Sequence, residues 1–162
     1  MRAKIKWFVL LFVIAAVAGV YLYPVLNVPF DEVYAKADAA EVESLTAFRA
    51  ANPPKIIDVN DTNWEYVSMG DGEQTILFLH GMTGAYDIWW HQLNALQADY
   101  RVIAVTYPAV DTLAEMEEGV LSILDAEGVD KFNVVGTSLG GYFAQYLVAH
   151  HPSRILRAVF SN

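Results

Sequence analysis

Residues 7–26 form one apolar run without a charged side chain. Twenty helical residues at about 1.5 Å each reach roughly 30 Å, the thickness of a bilayer's hydrocarbon core. The run predicts a transmembrane helix, with Tyr21 and Tyr23 placed for an interfacial aromatic belt. The alternative is a secretory signal cleaved near Ala18, since Ala16-Val17-Ala18 has the small-x-small form of a cleavage site. Apolar character continuing through Tyr23, Val25 and Leu26 favours the uncleaved anchor.

Beyond the run the spacing changes. Over residues 31–51, Val33, Ala37, Ala40, Leu45 and Phe48 make a loose apolar stripe among Asp, Glu and Lys. This predicts a juxtamembrane helix, a stalk closed by Asn52-Pro53-Pro54, because proline can neither donate to a helix nor let its predecessor stay helical. Three segments follow: the basic residues and anchor (1–26), the stalk (27–54) and a body (55–162).

Within the body, short apolar runs alternate with helical periods. Residues 55–59 and 64–69 read as edge strands, the second ended by the turn Gly70-Asp71-Gly72. The run 75–79 is continuously apolar, as in a strand buried on both faces, and 101–106 and 131–135 are read as the second and third buried strands. A fourth strand is expected over 155–160. Between them lie helices: 85–98, with Ile88, Trp89, Leu93 and Leu96 on one side; a helix opened by the capping box Thr112-x-x-Glu115 and stopped by Gly128; and 139–151, ended by Pro152. Buried strands separated by helices predict an α/β protein, a mainly parallel sheet with helices on both faces.

Charge and composition narrow this picture. The formal net charge is -9, and three of the ten basic residues (Arg2, Lys4, Lys6) precede the apolar run. The positive-inside tendency then predicts a cytoplasmic N-terminus and an acidic body on the extracytoplasmic side. Such a body offers no footprint for nucleic acid, whose phosphates need clustered Lys and Arg. The chain contains no cysteine, which excludes disulfides, thiolate metal sites and a cysteine nucleophile. No clustered His and carboxylate set suggests a metal, and no cofactor is expected.

Two motifs fall at the carboxyl ends of buried strands, where open parallel sheets bind ligands. Gly136-x-Ser138-x-Gly140 lies between the strand 131–135 and the next helix, with Gly141 following. A serine on such an elbow is held in a strained conformation, and its neighbours must be small for strand and helix to approach. The helix start aims free N–H groups at any anion formed beside Ser138. The second motif, His80-Gly81-Met82-Thr83-Gly84, follows the strand 75–79. Acyl transfer through serine creates a tetrahedral oxyanion. Leu139 would give it one N–H and the loop, at Met82, the other. Gly81 lets the loop backbone come close, and His80 is read as shaping the loop. Trp89 and Trp90 suit the core better than the wall of an acyl pocket.

These motifs and their strand–helix order resemble the N-terminal half of the α/β-hydrolase superfamily over residues 55–162. The stretches Tyr100-Arg-Val-Ile-Ala-Val-Thr-Tyr-Pro108 and Thr137-Ser-Leu-Gly-Gly-Tyr-Phe-Ala-Gln145 are most similar in wording to maspardin-like proteins. The anchor and Gly-Thr-Ser-Leu-Gly-Gly also resemble membrane-anchored monoacylglycerol lipases. Many members place Asp-x-Pro-Gly-x-Gly after the strand 101–106, where this chain has Tyr107-Pro108-Ala109-Val110-Asp111. The resemblance implies a serine hydrolase of ester or lipid-like acyl substrates, with the bilayer as partner through residues 7–26. A dehalogenase would carry aspartate at position 138.

A serine nucleophile needs a histidine base, and the base a carboxylate. The superfamily's order is Ser, then acid, then His. No acidic residue follows Ser138, and His150 and His151 close the helix that starts there. Twelve helical residues set them roughly 18 Å away. His91 reads as a surface or packing residue. The triad acid and histidine are therefore expected to be absent from this chain, the sheet to be truncated after the strand 155–160, and the chain alone to be inactive. A non-catalytic hydrolase-fold binding protein is the alternative.

Overall fold

A computed structural model describes residues 2–22 and 29–161, which form two compact units, 1–38 and 39–162. In the first unit, α1 runs Arg2–Leu22 and α2 Phe30–Val33. Trp7, Phe8, Leu11 and Phe12 on α1 are all exposed. Among the described residues no helix is long and apolar enough to cross a membrane. Residues 23–28, which carry the last part of the expected span, lie outside the described residues.

The expected single helix over 31–51 is instead two. After α2 the chain turns, and α3 occupies Ala39–Ala51. It belongs to the second unit, burying Leu45 and Phe48. Phe48 joins a core with Val67, Met69, Ile76, Phe78 and Leu93. The stalk reading is corrected to that extent: of the loose stripe, Leu45 and Phe48 are the buried face of a packed helix, while Val33, Ala37 and Ala40 are exposed.

The second unit continues with β1 (Lys55–Val59), β2 (Thr62–Met69) and β3 (Thr75–Leu79). A 3-10 turn (Tyr86–Trp89) leads into α4 (Trp90–Leu96), dividing the helix expected over 85–98. Then come β4 (Arg101–Thr106), α5 (Leu113–Ala126), β5 (Phe132–Thr137), α6 (Leu139–His150) and β6 (Ile155–Ser161). One six-stranded sheet results, in the order β1-β2-β4-β3-β5-β6. β3 through β6 pair in parallel, while β2 is antiparallel to both β1 and β4.

β2 is therefore an inner strand, not the edge strand expected over 64–69. Asn60 and Asp61, at φ 53° and 61°, make the tight reversal that returns the chain from β1. That hairpin lays β2 between β1 and β4, where Trp64, Tyr66 and Val67 are buried.

Helices cover both faces. On one, α5 and α6 pack Val120, Ile123, Phe143 and Leu147 against Leu77, Leu79, Ile103 and Val105. The capping box at Thr112 and Glu115 opens α5, and Gly128 at φ 69° reverses the chain after it. On the other face lie α3, the 3-10 turn and α4. β6 is an edge strand with Leu156, Val159 and Phe160 exposed.

At the end of the sheet where β4 begins, Glu127 binds β1, β2 and β4 together. Its carboxylate accepts from Lys55 (2.8 Å), Tyr66 (2.8 Å), Ser68 (3.0 Å) and Arg101. Burial opposes its ionisation, but the bonds from Lys55, Tyr66 and Ser68 outweigh it and hold the carboxyl at about 2.

Candidate active site

Ser138 caps the start of α6 at φ 52°, ψ -119°, a region that L-residues enter only under strain. Three features hold it there. Its N–H donates to the Ser161 carbonyl at the end of β6 (2.9 Å), and its own carbonyl accepts from Tyr142 (3.1 Å) to begin the helix. The third is the closeness of strand and helix. A Cβ on Gly136 would lie 2.7 Å from the Gly141 nitrogen, and one on Gly140 would lie 2.6 Å from the His80 carbonyl oxygen. Backbone cannot yield as a side-chain tip can.

The serine side chain is exposed and has no hydrogen-bond partner among the described residues. Tyr142 makes the first intrahelical bond, which leaves the N–H groups of Leu139, Gly140 and Gly141 without helical acceptors. Their partial positive charge gathers beside Ser138 Oγ. Across from it, Gly81 is close enough that a Cβ there would touch the Ser138 Cβ at 3.4 Å and Oγ at 3.8 Å. Glycine leaves that approach open. Met82 follows, 80% exposed at the mouth of the loop.

His80 lies beneath this loop, 2% exposed. Its Nε2 accepts from the Tyr107 backbone N–H (3.2 Å), and its Nδ1 meets the Gly81 carbonyl at 2.5 Å. An amide N–H can only donate, so Nε2 carries no proton and Nδ1–H faces the carbonyl. The ring also stacks on Tyr107, with centroids 4.0 Å apart. Burial lowers its pKa, against the Gly81 hydrogen bond and the charge of Asp87, which raise it. Both nitrogens are thus committed, and neither is offered to Ser138.

The other histidines are engaged elsewhere. His91 pairs with Glu41 at 2.8 Å, joining α4 to α3. His150 Nδ1 meets the Tyr146 carbonyl of its own helix (2.8 Å), and His151 pairs with Glu117 of α5. Among the described residues no histidine bonds to Ser138, and no group of three or more His, Asp or Glu side chains is set to hold a metal ion. Trp89 packs on Phe78 (5.2 Å) and Trp90 stacks on His91 (4.2 Å), both beside the α3–α4 core.

Three partners of the site escaped sequence reasoning. Tyr107 supplies the N–H and ring that fix His80. Thr106 Oγ accepts from the Tyr86 N–H (3.0 Å), tying the start of the 3-10 turn to β4. Ser161 anchors the serine. The first two follow directly after or close β4, so position at a strand's carboxyl end was the available signal.

A strained serine at a strand–helix elbow, in a sheet of this order, defines a class. Residues 74–162 match the family described as alpha/beta hydrolase fold, more than half of the chain, and the chain belongs to that family. It is 34% identical over 128 residues to the dihydrolipoyllysine-residue acetyltransferase component of the acetoin cleaving system from Cupriavidus necator, covering 74% of this chain and 33% of that one. Maspardin from Homo sapiens is 33% identical over 123 residues, covering 71% and 40%. The crystal structure of a hydrolase from Pseudomonas aeruginosa aligns with a TM-score of 0.60 at 29% identity, over 65% of this chain and 44% of that one. The chain therefore spans between a third and a half of the length of these relatives.

Proposed function

We propose that the protein to which these residues belong is a membrane-anchored serine hydrolase, acting on ester or lipid-like acyl substrates with Ser138 as nucleophile. The observation that carries this is the conformation of Ser138, strained, exposed and without a side-chain hydrogen bond among the described residues, at the start of α6 beside Gly81. Strain at an exposed serine has no use in packing, and it points Oγ at the space a substrate would fill. In the reaction, Oγ bonds to the acyl carbon and its proton passes to a base. The leaving alcohol departs with a proton, and water then hydrolyses the acyl-enzyme. The backbone N–H groups of Leu139 and Met82 receive the negative charge on the carbonyl oxygen. Base and acid are assigned to no residue of this chain.

Membrane attachment rests on residues 7–26, apolar on all sides and preceded by Arg2, Lys4 and Lys6. The lipid bilayer is then the partner, with the N-terminus cytoplasmic and the body on the extracytoplasmic side. A non-catalytic binding protein is the second reading, favoured by the absence of a histidine bonded to Ser138 among the described residues.

A fluorophosphonate probe separates the two, because it bonds only to an activated serine. The full-length protein should be labelled at Ser138 and lose the label in Ser138→Ala. Unlabelled full-length protein would establish the binding protein. The 162-residue chain should hydrolyse p-nitrophenyl esters no faster than its Ser138→Ala variant.

A further inference from the structure

We propose that His80 is a positioning residue: a neutral imidazole that clamps the loop after β3 to the loop after β4 and releases them when acid protonates it. The proposal draws only its catalytic consequence from the hydrolase reading.

The Gly81–Gly84 turn has one internal backbone bond, from the Gly84 N–H to the Gly81 carbonyl (3.1 Å). That same carbonyl meets His80 Nδ1, and Nε2 takes the Tyr107 N–H from a strand end 27 residues away. Gly84 closes over the ring, where a Cβ would come within 2.9 Å of the His80 Cβ. One side chain thus fixes the carbonyl before Met82 and the direction of the loop beside Ser138. The clamp requires an unprotonated Nε2. A proton there would set two donors against each other, N–H facing N–H at 3.2 Å, at a ring only 2% exposed.

The charged groups around the ring do not substitute for it. From the 3-10 turn comes Asp87, already held by Arg49 of α3 at 2.6 Å. From the loop after β4 comes Tyr107, whose phenol burial keeps neutral. The elbow presents Ser138 and backbone. Burial lowers the His80 pKa below its ordinary value of 6.5. A depressed folded-state value gives stability that is complete above the unfolded value and lost as pH falls through the folded one. The clamp is therefore closed at neutral pH and opens in acid. Loop release would move the Met82 N–H away from the oxyanion position proposed for it.

Nitrogen-15 NMR of the full chain, titrated from about pH 8 to about pH 4 across the ordinary histidine range, tests this. At neutral pH, His80 should show the Nδ1–H tautomer, and its midpoint should lie below 6.5. The backbone amides of Gly81, Met82 and Tyr107 should move with that same midpoint. In His80→Gln, a side-chain amide oxygen can still accept from Tyr107 but does not titrate, so the coupled movement should vanish. An Nε2–H tautomer at neutral pH, a midpoint at or above 6.5, or loop amides that still titrate in His80→Gln would overturn the clamp. Should His80→Gln fail to fold, the tautomer and midpoint of the unaltered chain decide the matter. Ser138→Ala should titrate unchanged, so failure of fluorophosphonate labelling would remove the hydrolase reading and leave the clamp standing.

Discussion

Ser138 occupies backbone space that costs a non-glycine residue on the order of 1–3 kcal/mol, and its neighbours supply the restraint. Gly140 is the sharpest case. Its missing side chain lets α6 lie against the ends of β3, and a Cβ would sit 2.6 Å from the His80 carbonyl oxygen. Gly140→Ala is therefore expected to cost about 2–3 kcal/mol. Urea unfolding would show a lower midpoint at an unchanged slope, and a loss under about half a kcal/mol would mean that the close approach is dispensable. This much was readable from spacing, because an elbow writes serine and its small neighbours into one short stretch. Tyr107 was not. Its tie to His80 joins two loops that only the fold brings together, and neither residue carries a local mark of the other.

Among the elements, the runs 55–59, 75–79 and 101–106 became β1, β3 and β4 with the boundaries that their apolar pattern gives. The capping box placed the start of α5 for a local reason, since the Thr112 side chain accepts from the Glu115 N–H (3.2 Å). The stretch 31–51 did not hold as one helix. Its apolar positions are too sparse to say whether they face solvent or a sheet, and burial of Phe48 resolved the matter. Phe48→Ala should cost about 3–5 kcal/mol, as for other buried aromatics, measured by thermal or urea unfolding. A free stalk would lose almost nothing. The same test addresses the Arg49–Asp87 pair, because loss of α3 docking would free Asp87 beside the loop that His80 clamps.

At the scale of the molecule, two units with different solvents are proposed, an apolar N-terminal helix and an acidic α/β body. Removal of residues 2–26 should shift the protein from the alkali-resistant membrane fraction to the aqueous fraction. An unchanged distribution would exclude these residues as the anchor.

What the sequence determined is whatever adjacent residues specify between themselves: helix and strand periods, the buried character of the central strands, the elbow at Ser138 and the family to which it belongs. Tertiary structure decided the rest. It placed β2 inside the sheet, docked α3 as core, set the His80 tautomer and turned His91, His150 and His151 toward Glu41, Tyr146 and Glu117. Each of these depends on which distant segment arrives as a neighbour, and a strand's alternation reads the same beside one partner or two. Local pattern fixes what an element is. Its neighbours fix what its residues can do.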